Sequence, residues 1–222
     1  MKKLISSIVA AGALAVSAQA NATVFDFQAL ADGSYGESAW SSLVLTQDDI
    51  TLTVTATKND SLAYAYLDSD SAGLGVCGYA DTLGIISAGS TANQCDSGAG
   101  DDNVTLGEVL NFSFTDSNDN ALAVNIDLIA SIFRDANHVE HDETHEIDIS
   151  YAGLNGGDWT FLGETSPYFT TSSFSLRLDP LKSEVHQFYV DALVVSKVPE
   201  PATLALMGLG LAGLGFARRR KA

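Results

Sequence analysis

Between residues 50 and 57 the chain alternates without a fault. Ile50, Leu52, Val54 and Ala56 lie on one side, and Thr51, Thr53, Thr55 and Thr57 on the other. A period of two, built from β-branched residues, is the pattern of a half-buried strand with its threonines facing water. The same alternation returns at Leu110, Phe112 and Phe114, with Asn111 and Ser113 between them. It recurs at Leu122, Val124, Ile126 and Leu128, and at Ile147, Ile149 and Tyr151. Phe174, Leu176 and Leu178 repeat it between Ser175, Arg177 and Asp179, and Phe188, Val190, Ala192 and Val194 form the last such run. Polar turn clusters separate the runs: Asp32-Gly33, residues 116–120, and Asn155-Gly156-Gly157-Asp158. No helical period and no fixed-length repeat is visible in residues 23–197. Short strands joined by polar turns predict an all-β domain, an antiparallel β-sandwich of jelly-roll-like build.

The two ends break this pattern. Lys2 and Lys3 precede an apolar run over residues 4–16, interrupted only by Ser6 and Ser7. Ala18-Gln19-Ala20 and Ala20-Asn21-Ala22 each offer a small-x-small cleavage site. Residues 1–22 therefore read as a secretory signal peptide, which implies the Sec translocon and signal peptidase as partners. At the other end, Pro199-Glu200-Pro201 holds the backbone extended, because each ring fixes φ and disfavours helix in the residue before it. Residues 202–217 carry no charge, and Arg218, Arg219, Arg220 and Lys221 follow. An uncharged segment closed by cations is a membrane stop with the cations on the cytoplasmic side. Sixteen residues falls short of the roughly 20 of a permanent span. Gly208, Gly210 and Gly213 spell a dinucleotide-binding spacing, but no strand precedes them, so they read as a helix packing face.

The order of motif, short Gly/Leu helix and basic cluster over residues 198–222 resembles the PEP-CTERM sorting signal. The resemblance implies recognition by an exosortase, a membrane transpeptidase-like protease that removes the helix near Pro199, Glu200 and Pro201. It also implies a Gram-negative host that makes extracellular polysaccharide. A plain C-terminal anchor that is never cut is the simpler alternative. A second stretch, Gly73-Leu74-Gly75-Val76-Cys77 together with Cys95 and residues 101–110, resembles a recurrent exported domain found ahead of this sorting tail. That resemblance spans roughly residues 63–133 and implies a β-sandwich and a surface protein, not a reaction.

Removing both ends sharpens the charge. The whole chain carries −17, whereas residues 23–197 hold five basic and twenty-seven acidic side chains, a net −22. Nucleic acid is excluded as a partner, because phosphate binding needs basic patches. Acidity of this kind keeps an extracellular protein dispersed and also suits divalent cations. Cys77 and Cys95 are the only cysteines, and in an exported chain an even count reads as a disulfide. Asp101, Asp102, Asn103 and Glu108 are hard oxygen donors in a Gly-rich turn, a candidate Ca²⁺ set without the spacing of an EF-hand. The plainer account is an acidic turn whose side chains bond their own backbone. His138, His141 and His145 fall among four acids over residues 138–146. They offer ligands for a transition ion, but a solvated hairpin loop is the plainer account.

No nucleophile elbow, phosphate-binding loop or orderable catalytic set is present, and no catalytic residue is assigned. Trp40, Trp159, Tyr64, Tyr66 and Tyr168 hint at sugar contact or at strand-pair packing. Three expectations follow. The first is a non-enzymatic cell-surface or matrix protein, associated with exopolysaccharide and anchored transiently in the inner membrane. The second is a calcium-assisted carbohydrate-binding module. The third is a glycan hydrolase, which requires two carboxylates facing each other across a cleft.

Overall fold

A computed structural model of the chain describes residues 22–69, 72–78, 95, 102–134, 147–151, 158–162, 169–180 and 187–199. Residues 1–21 of the expected signal peptide, the residues from 200 onward, Asp101, the three clustered histidines and Tyr168 lie outside the described residues, whereas Ala22, its expected last residue, opens the first strand. Residues 21–198 form one compact unit.

In chain order the elements are β1 (Ala22–Asp26), α1 (Phe27–Ala31), β2 (Ser38–Trp40), β3 (Leu43–Gln47), β4 (Ile50–Lys58), β5 (Ser61–Asp68) and β6 (Gly73–Cys77). They continue with β7 (Glu108–Thr115), β8 (Val124–Arg134), β9 (Ile147–Tyr151), β10 (Thr160–Phe161), β11 (Phe169–Thr171), β12 (Ser173–Leu178) and β13 (Gln187–Lys197). Every pairing among them is antiparallel, in the order β10-β9-β12-β7-β4-β5-β6-β13-β8-β11. β1 lies beside β13, β2 beside β5 and β3 beside β4. The domain is all-β, as its alternation predicts.

β5 is the corner of this curled sheet. Its first residues, Ser61 to Ala63, pair with β4, while Tyr64 to Asp68 pair with β6. One strand thus belongs to both halves, and the inward faces of the halves share one apolar core. Leu52, Val54, Leu110, Phe112 and Leu176 enter it from one half; Leu74, Val76, Phe188, Val190 and Leu193 enter from the other. Phe112 and Phe174 stack with centroids 4.5 Å apart and planes 6° from parallel.

Turn chemistry fixes register in the first half. Asp48 and Asp49 both take positive φ between β3 and β4, as do Asn59 and Asp60 between β4 and β5. Two-residue loops with both centres left-handed match the twist of the strands they join, and Asn and Asp tolerate that conformation best after Gly.

Three features depart from the sequence reading. A five-residue helix, α1, begins at Asp26, whose carboxylate accepts a hydrogen bond from the Ala29 N–H at 2.7 Å. Such a helix is too short to show a period. Next, the β13 run over Phe188, Val190, Ala192 and Val194 does not keep one face. Register with β8 slips between Val190 and Ala192, so Asp191 has no opposite number, and the buried apolar residues afterwards are Leu193 and Val195. On β8 the same happens at Asp127: Leu128 is 39% exposed and Ile129 8%. An extra residue in a strand turns every later side chain to the opposite face.

Candidate functional site: a polar cluster beside the disulfide

The Gly73–Cys77 strand carries its two glycines for space. A Cβ on Gly75 would overlap the carbonyl oxygen of Asp102, and one on Gly73 would lie 2.7 Å from the Val190 carbonyl oxygen. Residues 102–104 therefore lie directly over β6, and the β13 bulge presses on its first residue. Val104 completes the seam by exchanging backbone hydrogen bonds with Phe188 at 2.8 and 3.2 Å. Cys77 and Cys95 are joined, with Cα atoms 5.6 Å apart. The bond packs against Ala39 and Tyr66, with Tyr64 partly covering it.

A polar cluster lies against this apolar patch. The Tyr66 hydroxyl donates to Glu37 Oε1 at 2.5 Å, and the Ser69 hydroxyl donates to Glu37 Oε2 at 3.2 Å. Burial, reinforced by the Glu37 and Asp68 carboxylates, pushes the Tyr66 hydroxyl far above the usual phenol range, against a backbone hydrogen bond with Cys95. Tyr189 is fully buried, and burial together with the Asp68 and Asp102 charges holds its hydroxyl protonated as well. Two neutral phenols thus sit among three acids. The arrangement donates hydrogen bonds from phenols to carboxylates.

The sequence-predicted calcium set is divided. Asp102 faces Tyr189. Asn103 is buried, and its amide nitrogen donates to Gln187 Oε1. Glu108 is also fully buried. Its carboxylate accepts from the Thr105 N–H at 2.7 Å and pairs with Lys58 Nζ at 3.0 Å, so it closes the turn before β7. Among the described residues no group of three or more His, Cys, Asp or Glu side chains is arranged to hold a metal ion. Glu37, Asp68, Ser69 and Tyr189 escaped the sequence reading. The available signal was a tyrosine and two acids at or beside strand positions, which alternation alone treats as outward.

Of the candidate aromatics, Tyr66 is core, and Trp40 donates its indole N–H to Ser38 Oγ at 2.8 Å. Trp159 lies under the Arg177 guanidinium, 4.1 Å from ring centre to Cζ, and Arg177 Nη2 pairs with Asp148 at 3.0 Å. A groove of about 320 Å³ opens between β1, α1 and β3. Asp26 is the only acid in its lining, and that carboxylate already caps α1.

The all-β domain carries a disulfide and ends in a strand that leads into Pro199. The PEP-CTERM protein-sorting motif matches residues 197–221, beginning on the last residue of β13. The chain is a PEP-CTERM domain-containing protein, and the motif marks it as exported, directed to the cell envelope and recognised by an exosortase. Comparison with curated proteins and with solved structures gave no match. Among the described residues no helix is long and apolar enough to cross a membrane.

Proposed function

We propose that this is an exosortase-processed surface or matrix protein whose β domain performs no chemistry and is held in the envelope together with exopolysaccharide. The observation that carries this reading is the sorting motif at residues 197–221, set directly on the end of a disulfide-closed domain. Signal peptidase and the Sec translocon deliver the chain, and residues 202–217 hold it in the inner membrane until processing. Deleting residues 199–222 is expected to abolish envelope retention and the size change on processing. Unchanged location and size on a blot refutes the reading.

A second reading, calcium-assisted carbohydrate binding, is favoured by one observation. Asn103 is buried with its Oδ1 lacking a hydrogen-bond partner among the described residues, next to Asp102. Pull-down of the protein on the host's own polysaccharide, with and without chelator, separates the two. Binding that chelator abolishes supports calcium at Asp101, Asp102 and Asn103; binding indifferent to chelator removes it. Glu108 enters that shell only by leaving Lys58.

A further inference from the structure

The outer face of β3, β4, β7 and β12 is regular and carries only one charged side chain, in a domain that is otherwise strongly acidic. Register places Thr53 opposite Ser113 and Thr55 opposite Asn111, and Ser175 opposite Asn111 on the far side. All of these side chains point outward from strands whose alternate residues are buried. Arg177 is the one charged residue on the outward positions of β12 within Ser173–Leu178, and Asp148 neutralises it. Apolar groups stand in the same rows: Val44, opposite Thr53, is 50% exposed, and Leu62, opposite Thr57, is 69% exposed.

Cross-strand links hold part of this array. Ser175 Oγ donates to Asn111 Oδ1 at 2.7 Å, and the Thr46 and Thr51 hydroxyls bond each other at 3.0 Å. The hydroxyls of Thr53, Thr55 and Thr57 and the Asn111 amide nitrogen make no hydrogen bond to other described residues. From Thr51 to Thr57 the face runs about 20 Å along the strands, and its four strands make it about 14 Å wide.

We propose that this face binds an uncharged polysaccharide lying flat along it, a statement that rests on the exopolysaccharide reading above and names its surface. Hydroxyl and amide groups both donate and accept, as sugar hydroxyls do. The interspersed Val44 and Leu62 match the apolar C–H faces of sugar rings. Charge selects the class of polymer. Twenty-seven acids in residues 23–197 repel an anionic glycan, and none of them lies on the outward positions of β4, β7 or β12. Trp159, held under Arg177, borders the face at the β9 and β10 end.

Affinity electrophoresis of the full chain in non-ionic detergent, disulfide intact, tests this. The gels contain a soluble β-glucan or mannan as neutral probes, or alginate as the polyanion. The wild-type chain is expected to be retarded by at least one neutral probe and not by alginate. Thr53→Glu with Thr55→Glu is expected to weaken that retardation about tenfold or more, because carboxylates would be desolvated under the glycan. Leu128→Glu, exposed on the opposite half, leaves it unchanged. Thr53→Val with Thr55→Val keeps the strand's shape and β-propensity and removes only hydroxyls, so it decides the matter should the Glu pair fail to fold. Neutral-glycan binding equal in wild type and both Thr53/Thr55 variants overturns the assignment of the face and leaves the exopolysaccharide reading standing. No retardation by any neutral polymer, or retardation by alginate alone, overturns the proposal. Loss of binding to the host's own polymer as well removes the reading beneath it.

Discussion

The half of the sheet made of β3, β4, β7 and β12 and the half made of β6, β8 and β13 bury apolar surface by different rules. In the first, every second side chain is inside, from Ile50 to Ala56 and from Leu110 to Phe114, and the turns supply the register. In the second, bulges at Asp191 and Asp127 reverse the faces of β13 and β8. There the interior admits Tyr189, Asp68 and Asn103, and β6 accepts a crossing segment so close that glycine is needed. The regular half is generic, since any apolar residue of the right size maintains it. The bulged half depends on particular atoms, and departures from local pattern of this kind gather where a protein has been shaped for more than folding.

Substitutions sharpen the contrast. Phe112→Ala in the regular half removes a stacked core ring and is expected to cost about 4 kcal/mol in urea unfolding. Cys77→Ala with Cys95→Ala is expected to cost about 3 kcal/mol, because the closed loop no longer restricts the unfolded chain. Its effect on hydrogen exchange should concentrate in β6 and β2 and spare β7. Equal loosening of β7 would mean the halves are not separable. Gly75→Ala forces residues 102–103 off β6 and is expected to cost about 2 kcal/mol. Thr55→Val on the regular half should stay within about 0.5 kcal/mol.

The smallest effect is pH-dependent. Burial, and after it the Asp26 carboxylate, raises the Asp191 carboxyl above the usual range. The folded chain therefore holds this proton more tightly than the unfolded chain. The stability it lends is present in acid and is lost as pH rises through the raised value. Asp191→Asn resembles the protonated form, so it should be slightly more stable than wild type at about pH 7, and the gap should close at about pH 3. A gap that is flat with pH would show that the carboxylate is well solvated.

Alternation made the regular half legible: Ile50 to Ala56, Leu110 to Phe114 and Phe174 to Leu178 have the faces that the sequence assigns them. It misled at Leu128 and Val194, because a bulge leaves no trace in hydropathy and depends on which partner strand arrives. The Cys77–Cys95 bond was readable from count and compartment. The Glu37, Tyr66 and Ser69 contacts were not, since residues 29 and 32 positions apart meet only after the sheet curls at β5. Glu108 looked like one ligand among several; its bond to Lys58 exists because β4 and β7 pair at that register.

The last strand carries one further implication. Ser196 is paired with Ala22 on one side and Asn125 on the other, and Lys197 is paired with Val124. On the proposed reading that an exosortase removes the tail, a polypeptide stitched in this way resists threading into a peptidase groove, which puts the scissile bond beyond Lys197. A cut at the Pro199-Glu200-Pro201 motif would then leave a domain with almost no stalk, its freed carboxyl-terminus within a few residues of the strand that opens the fold. Mass spectrometry of the mature terminus reads that length directly.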